Sequence, residues 1–336
     1  MKERIYYLDV IRVIACLMVL LMHSTVRLND GESGLVPGLI TYIMLPCNGL
    51  FFMTSGAVLF GPSLSLGEFM KKRLSRIVWP VVIWSIVNII CDAYTYDVPM
   101  EKSIKQLFWI PFHNVESNGT FWFMYALLGC YLVVPIIEPW LKKATKGELE
   151  AVLLMWVISL SFPIITFYLD MPAFDHRSAW YYYGGFIGYF ILGWYMTHYE
   201  ISWKKIILSF VLAVLIFAVI KLQQTPDKSA YDMETYCYLL PSTICYCFGL
   251  FGLIMKLVPN DMSDKSKTIF TSLSACTFGV YLIHVLFLTR FLKRTDWLDS
   301  LSVGGAIGVR WILTAIFCFI VISLLRKLPY SKYIVG

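Results

Sequence analysis

The segment LDVIRVIACLMVLLMHST, Leu8 to Thr25, is long and apolar enough to cross a bilayer, yet it carries Asp9, Arg12 and His23. An ionisable group inside a span costs about 3 kcal/mol or more unless it is paired or wet, so such groups often mark function. Arg12 and His23 are eleven positions apart. At about 100° per residue they lie roughly 20° beyond three full turns, on one helix face and about 16 Å apart along the axis. A guanidinium can hold an anion, and an imidazole can move a proton near neutral pH. The plainer readings are an Arg12 that snorkels with Asp9 as its partner, one turn away, and a hydrogen-bonded structural His23. The shared face favours the functional reading.

Further candidates follow along the chain. KKRLSRIVWP, Lys71 to Pro80, sets four cations before an apolar run. A basic cluster there serves topology, but Arg73 and Arg76, one turn apart, also suit the phosphates of an anionic cofactor such as a nucleotide-bearing thioester. In SACTFGVYLIHVLF, Ser274 to Phe287, Tyr281 stands one turn before His284. That pair is fit to bind an acceptor hydroxyl, to relay a proton, or to make a structural hydrogen bond. Thr54-Ser55-Gly56 and Tyr183-Gly184-Gly185 place small residues in apolar runs, where helices pack closely. Arg310 falls in the last apolar block and needs a partner from another helix or a wet cavity. His113, His176 and His198 read as loop or span-end residues. The nine cysteines show no ligand spacing and read as small apolar side chains. No metal site and no glycine-rich nucleotide loop is expected.

These residues need a scaffold that lies in lipid. Of 336 residues, 58% are hydrophobic and only 15% charged, against about a quarter charged in ordinary soluble domains. Apolar blocks long enough to span hydrocarbon recur throughout. The expectation is an all-α integral membrane protein of about ten transmembrane helices, near 7–26, 38–60, 77–93, 119–138, 150–169, 180–197, 206–222, 236–256, 269–289 and 302–325. The first block lacks a signal-peptide cleavage site and reads as a retained helix. Basic residues gather on one side of this arrangement: Lys2, Arg4, the Lys71 to Arg76 cluster, Lys142, Lys143, Lys146, Lys204, Lys205, Lys256, Lys265, Lys267, Arg326, Lys327 and Lys332. The other side holds about half as many: Arg27, Lys102, Lys105, Arg177, Lys221, Lys228, Arg290, Lys293 and Arg294. The positive-inside rule makes both termini cytoplasmic. The longest polar segment, Tyr94 to Asn118, then lies outside, where it is either a plain loop or the cap of a substrate site. The net charge of +6 calls for no nucleic acid.

Taken in order, the motifs resemble the acyltransferase-3 family, membrane enzymes that acylate cell-envelope and secreted glycans. YYLDVIRVIACLMVLLMHST (6–25) looks like the first-helix signature with its spaced arginine and histidine. LFFMTSGAVLF (50–60), KKRLSRIVWPVVIW (71–84), TFWFMYALLGCYLVVPII (120–137), YFILGWYM (189–196) and SACTFGVYLIHVLF (274–287) resemble later segments. Two departures stand out. Arg12-Val13 replaces the frequent Arg-Gly, and over residues 1–336 no fused esterase-like domain is expected. Residues 1–336 are therefore expected to form one transmembrane domain of the small O-acetyltransferase type in the cytoplasmic (inner) membrane. The resemblance implies acetyl-CoA or another acyl-CoA as the cytoplasmic donor and an envelope glycan or lipid-linked sugar as acceptor. It implies Arg73 and Arg76 on the CoA phosphates, Arg12 steering the donor, and His23 as general base or acyl carrier. Trp122, Tyr281 and His284 are the expected acceptor contacts. The competing classes are a transporter or exporter of a polysaccharide or small molecule, and a membrane sensor domain.

Overall fold

The computed structural model describes residues 4–25, 35–60, 65–116, 118–169, 171, 179–222, 237–259, 261–292 and 296–336. Of the residues named above, Lys2, Arg27, His176, Arg177, Lys228, Lys293 and Arg294 lie outside these. Every regular element among the described residues is helical. Helix α1 is Tyr6–Ser24, α2 Leu35–Met44 and α3 Pro46–Leu59. The short helix α4, Leu66–Phe69, opens on a reciprocal cap in which Ser65 and Glu68 each bond the other's backbone N–H. It passes through a π-helical turn, Met70–Leu74, into α5, Ser75–Tyr96. There follow α6 Met100–Trp109, α7 Trp122–Leu141, α8 Lys146–Tyr168, α9 Ile187–His198 and α10 Trp203–Leu222. The last four are α11 Pro241–Leu257, α12 Asp264–Ser274, α13 Thr277–Arg290 and α14 Val303–Leu325.

Among the described residues, seven helical segments are long and apolar enough to cross a membrane, and eight if α12 and α13, bent by 53° at Ala275-Cys276, form one broken span. The expected count of ten is therefore not reached by length. The expected spans at 180–197 and 236–256 fall on shorter helices for local reasons. Gly185 adopts φ 100°, a left-handed backbone, so the residues before it form a separate 3-10 turn and α9 starts only at Ile187. Pro241 opens α11, where its missing N–H is harmless. Exposed Ile207, Leu208, Val211, Val214 and Leu215 on α10, and Ile312, Ile316 and Ile320 on α14, give these helices apolar outer faces that lipid can solvate.

The chain divides into two compact units. The first comprises Met1–Ala15, Leu45–Pro62 and Val133–Ser263. Its core is the crossing of α3 and α9. A Cβ added to Gly56 would strike the Phe190 backbone, and one added to Gly193 would strike that of Met53. Aromatic rings close around the crossing, Phe52 stacking on Phe186 at 4.8 Å. Trp156 of α8 donates to the Gly185 carbonyl at 2.8 Å, and Tyr189 of α9 to that of Tyr238 at 2.7 Å.

The second unit comprises Cys16–Met44, Ser63–Leu132 and Asp264–Gly336. Here the second half of α1 lies against α13 and α14. Trp311 of α14 donates its indole N–H to the Leu17 carbonyl at 3.0 Å. Trp84 of α5 donates to the Ile334 carbonyl at 2.8 Å, tying the C-terminal turn to that helix. Helices α5 and α6 form a hairpin, and Ile110 and Val115, from the segment after α6, pack with Ile89 of α5.

Candidate functional site

Helices α1 and α13 run parallel in a fixed register. Cys16 Sγ lies 3.9 Å from the Thr277 carbonyl, and the rings of His23 and His284 lie 5.1 Å apart. Each helix takes the same seven-residue step between these contacts. Seven residues are about two turns, so the pairing stays on one seam. That seam brings together two histidines 261 positions apart in the chain.

The two histidines differ in setting. His23 is partly exposed and His284 fully buried. His284 Nδ1 lies 2.6 Å from the Tyr281 carbonyl. A carbonyl only accepts, so Nδ1 carries the hydrogen and the tautomer is fixed. In the neutral ring Nε2 then holds the lone pair, and it has no hydrogen-bond partner among the described residues. This is the arrangement a general base needs: one nitrogen anchored, the other free to take a proton.

Tyr281 extends the cluster. Its hydroxyl donates to the Thr120 carbonyl at 2.7 Å, and its ring lies 5.4 Å from His284 and 5.2 Å from Phe123. Thr120 Oγ1 donates to Asn118 Oδ1 at 2.5 Å. Trp122 lies edge-to-face with Phe123 at 6.2 Å. The sequence therefore points to His23, to the pair Tyr281 and His284, and to Trp122, and the fold brings His23 to that pair. Thr120 and Asn118, which hold Tyr281, escaped sequence reading. The one hint was that Asn118 ends the long polar segment.

Arg12 belongs to the first unit, with Asp9. The Asp9 carboxylate is buried and accepts from Arg4 Nε at 2.6 Å and Arg4 Nη2 at 3.1 Å. Arg12 Nη1 approaches it at 3.4 Å, and Arg12 Nη2 reaches the Thr54 carbonyl at 3.4 Å. The Thr54 and Ser55 hydroxyls turn back to the Phe51 carbonyl, at 3.0 and 2.9 Å. Two cations thus share one carboxylate, and the nearer contacts are those of Arg4. A guanidinium at this position offers a fork of N–H donors that suits an incoming anion.

Arg73 and Arg76 fall on successive turns of unlike geometry. Arg73 lies within the π-helical turn, a feature frequent at functional sites. Its Nε is buried without a hydrogen-bond partner among the described residues, whereas Arg76 is exposed. Four residues on, Pro80 supplies no N–H to the Arg76 carbonyl.

A buried ion pair was also missed. Arg290 of α13, which sequence reading had placed among loop cations, pairs with Asp92 of α5 and donates to Tyr96 Oη at 3.1 Å. His198 stacks on Trp194 at 3.6 Å and, like His113, is exposed.

The arrangement offers a fixed imidazole base beside a second imidazole, and separate guanidinium groups able to hold an anion. No curated protein and no solved structure matches the chain. The family model described as an acyltransferase domain matches residues 5–326, from the residue before α1 to the residue after α14, and the chain, a multi-pass membrane protein, belongs to the acyltransferase-3 family.

Proposed function

We propose that the protein is a membrane O-acyltransferase that moves an acetyl group from cytoplasmic acetyl-CoA to a hydroxyl of an extracytoplasmic or lipid-linked glycan. The observation that carries this reading is the pairing of His23 with His284, whose Nε2 is a free buried acceptor. One imidazole suffices for direct transfer. Two adjacent imidazoles suit a two-step route, because a ring that holds the acyl group cannot also take the acceptor's proton.

In the first step a ring nitrogen of His23 attacks the thioester carbonyl. The C–S bond breaks, and CoA leaves as the thiol with the proton displaced from His23. In the second step the acceptor oxygen attacks the acyl carbon while His284 Nε2 takes the hydroxyl proton. The C–N bond to His23 breaks and the ring recovers a proton through His284. Arg73 and Arg76 hold the CoA phosphates, and Arg12 steers the thioester end along the helix that carries His23. Charge on both sides of the reaction is thereby met without a metal.

The test is acetyl transfer from labelled acetyl-CoA by purified protein in lipid nanodiscs. In the absence of acceptor the wild type is expected to retain acid-labile label on the protein, and His23→Ala is expected to retain none. Thioester consumption with no retained label would assign His23 the base role in a direct transfer. No thioester consumption at all would overturn the donor and favour a transport activity.

A further inference from the structure

Helix α6 carries its polarity reversed for a segment in water. Ser103 and Gln106 are buried, while Met100, Ile104, Leu107 and Phe108 are exposed, Phe108 to 74%. At about 100° per residue these four apolar side chains fall within an arc of about 100°. Ser103, Gln106 and the following Ile110 make up the buried side, where Ile110 packs with Ile89 of α5. Glu101, Lys102 and Lys105 lie on the third side, and the two lysines are neutralised as ion pairs. Lys105 Nζ meets Glu101 Oε1 at 2.7 Å, and Lys102 Nζ meets Glu116 Oε2 at 2.6 Å.

Helix α5 fixes what the apolar side meets. It belongs to the segment Leu66–Tyr96, which is long and apolar enough to cross a membrane. On it exposed Trp79, Ile86, Ile90 and Tyr94 fall within about 80° of one another and form a stripe that lipid can solvate. Ile89 and Val82, the residues of α5 that pack with Ile110, sit beside that stripe. The chain turns at Asp97, in left-handed backbone with φ 47°, and returns antiparallel so that Ile110 reaches Ile89. Followed along the chain, each helix presents its apolar stripe about 100° clockwise of its contact with the other. Equal rotations about opposed axes turn both stripes to the same side of the hairpin. The apolar surface of α5 thus continues across α6.

We infer that α6 is a half-helix immersed in the membrane, and that lipid acyl chains of the leaflet where α5 ends cover its stripe of Met100, Ile104, Leu107 and Phe108. Ten residues of helix measure about 15 Å, half the thickness of the hydrocarbon. The stripe suits acyl chains because it extends a surface already turned to lipid. Anionic headgroups are disfavoured as its partner, since the paired lysines leave no net charge to attract them. Ser103 and Gln106 turn inward because hydrocarbon offers them no hydrogen bond. Exposed Tyr94 and Tyr96, beside the turn, mark the level of the membrane interface, where such rings gather. The stretch that reads in sequence as a polar loop or a cap is thereby part of the lipid-facing wall.

The experiment places the photoreactive residue benzoylphenylalanine at one position at a time in the full chain, held in nanodiscs of phosphatidylcholine. Intact mass is read after irradiation. Phe108→benzoylphenylalanine and Ile104→benzoylphenylalanine are each expected to gain the mass of one phospholipid. Lys105→benzoylphenylalanine, on the charged side, is expected to gain it with a yield at least about tenfold lower, because charged neighbours keep that side out of hydrocarbon. Both stripe positions are exposed and benzoylphenylalanine keeps the Phe108 ring, so the variants should melt with the wild type. If one fails to fold, the other still decides. The yield at Phe108 should not change when phosphatidylglycerol replaces part of the phosphatidylcholine. A yield that rises severalfold with the anionic lipid would assign the contact to headgroups and overturn the inference. Equal lipid yields at Phe108 and Lys105, or no lipid adduct at either stripe position, would overturn it too. So would a product of twice the chain mass in place of the lipid adduct, which would give the stripe to a second copy of the chain.

Discussion

His23 and His284 face each other across the α1–α13 seam with ring centroids 5.1 Å apart and planes tilted by 48°. The seam is set by the equal seven-residue steps from Cys16 and Thr277, so the register of two helices brings the rings together. If the pair acts as one unit, its mutational effects do not add. His23→Ala and His284→Ala should each lower acetyl transfer by at least about a hundredfold, the scale of general acid–base loss. The double variant should fall no further than the weaker single one. Membrane yield measured beside transfer should match the wild type. A His284→Ala variant with near-normal transfer would remove the base role assigned to it.

Tyr281 does two tasks through two atoms. Its carbonyl fixes the His284 tautomer, and its hydroxyl fixes the Thr120 carbonyl. Tyr281→Phe deletes only the second. A loss of about 0.5–1.5 kcal/mol in stability is expected from one hydrogen bond. Because the Asn118 loop is then released while the imidazole stays anchored, apparent acceptor affinity should fall more than turnover at saturating acceptor. The reverse pattern, with turnover lost and acceptor affinity kept, would place Tyr281 in proton transfer instead.

The sequence made the helical class and the first-helix line legible because membrane helices announce themselves by composition, and because charge inside them is costly. It did not make the pairing of His23 with His284 legible. That contact depends on register between helices remote in the chain, and periodicity within one helix carries no such information. Arg290 looked like a loop cation since it ends α13, and only the fold brings Asp92 to it. Two of the expected spans are interrupted where local backbone overrides hydropathy. At Gly185 and at Ala275-Cys276 the apolar run continues while the helix stops.

Asp9 holds Arg12 from one side and the Thr54 carbonyl from the other. Asp9→Ala leaves Arg4 and Arg12 without their shared carboxylate and Arg12 with a weakened anchor. The apparent KM for acetyl-CoA should rise by about tenfold, the equivalent of roughly 1.4 kcal/mol. Asp9→Glu should restore part of it. An unchanged donor KM in Asp9→Ala would show that Arg12 needs no orientation, or that it does not meet the donor.

Arg73 and Arg76 can be told apart by burial. Arg73 presents a partly buried guanidinium from the π-helical turn, and Arg76 an exposed one. A desolvated guanidinium contributes more to phosphate binding than a screened one. Arg73→Ala should therefore weaken CoA binding more than Arg76→Ala, with the gap widening as salt is raised. Equal losses at every ionic strength would assign both to a diffuse surface charge.

The α3–α9 crossing sets how close Thr54 can lie to its neighbours, and it depends on two glycines. A Cβ at Gly56 meets the Phe190 backbone and one at Gly193 meets the Met53 backbone. Backbone cannot rotate aside as a side chain does, so either alanine must drive the helices apart. In lipid, where helix association relies on close packing, that loss is not recovered by burying apolar surface. Gly56→Ala and Gly193→Ala should each cost about 1–3 kcal/mol or more, read as a lower melting temperature in detergent. Gly129→Ala and Gly308→Ala are the matched controls, being helical positions where an added Cβ meets nothing within 4 Å. There alanine should be neutral or stabilising by up to about 1 kcal/mol through backbone entropy. Because Gly56 lies two residues beyond Thr54, Gly56→Ala should also raise the donor KM by displacing the carbonyl that holds Arg12, and Gly129→Ala should not. Equal melting temperatures for Gly56→Ala and Gly129→Ala would mean that the crossing is looser than the close approach of α3 to α9 requires.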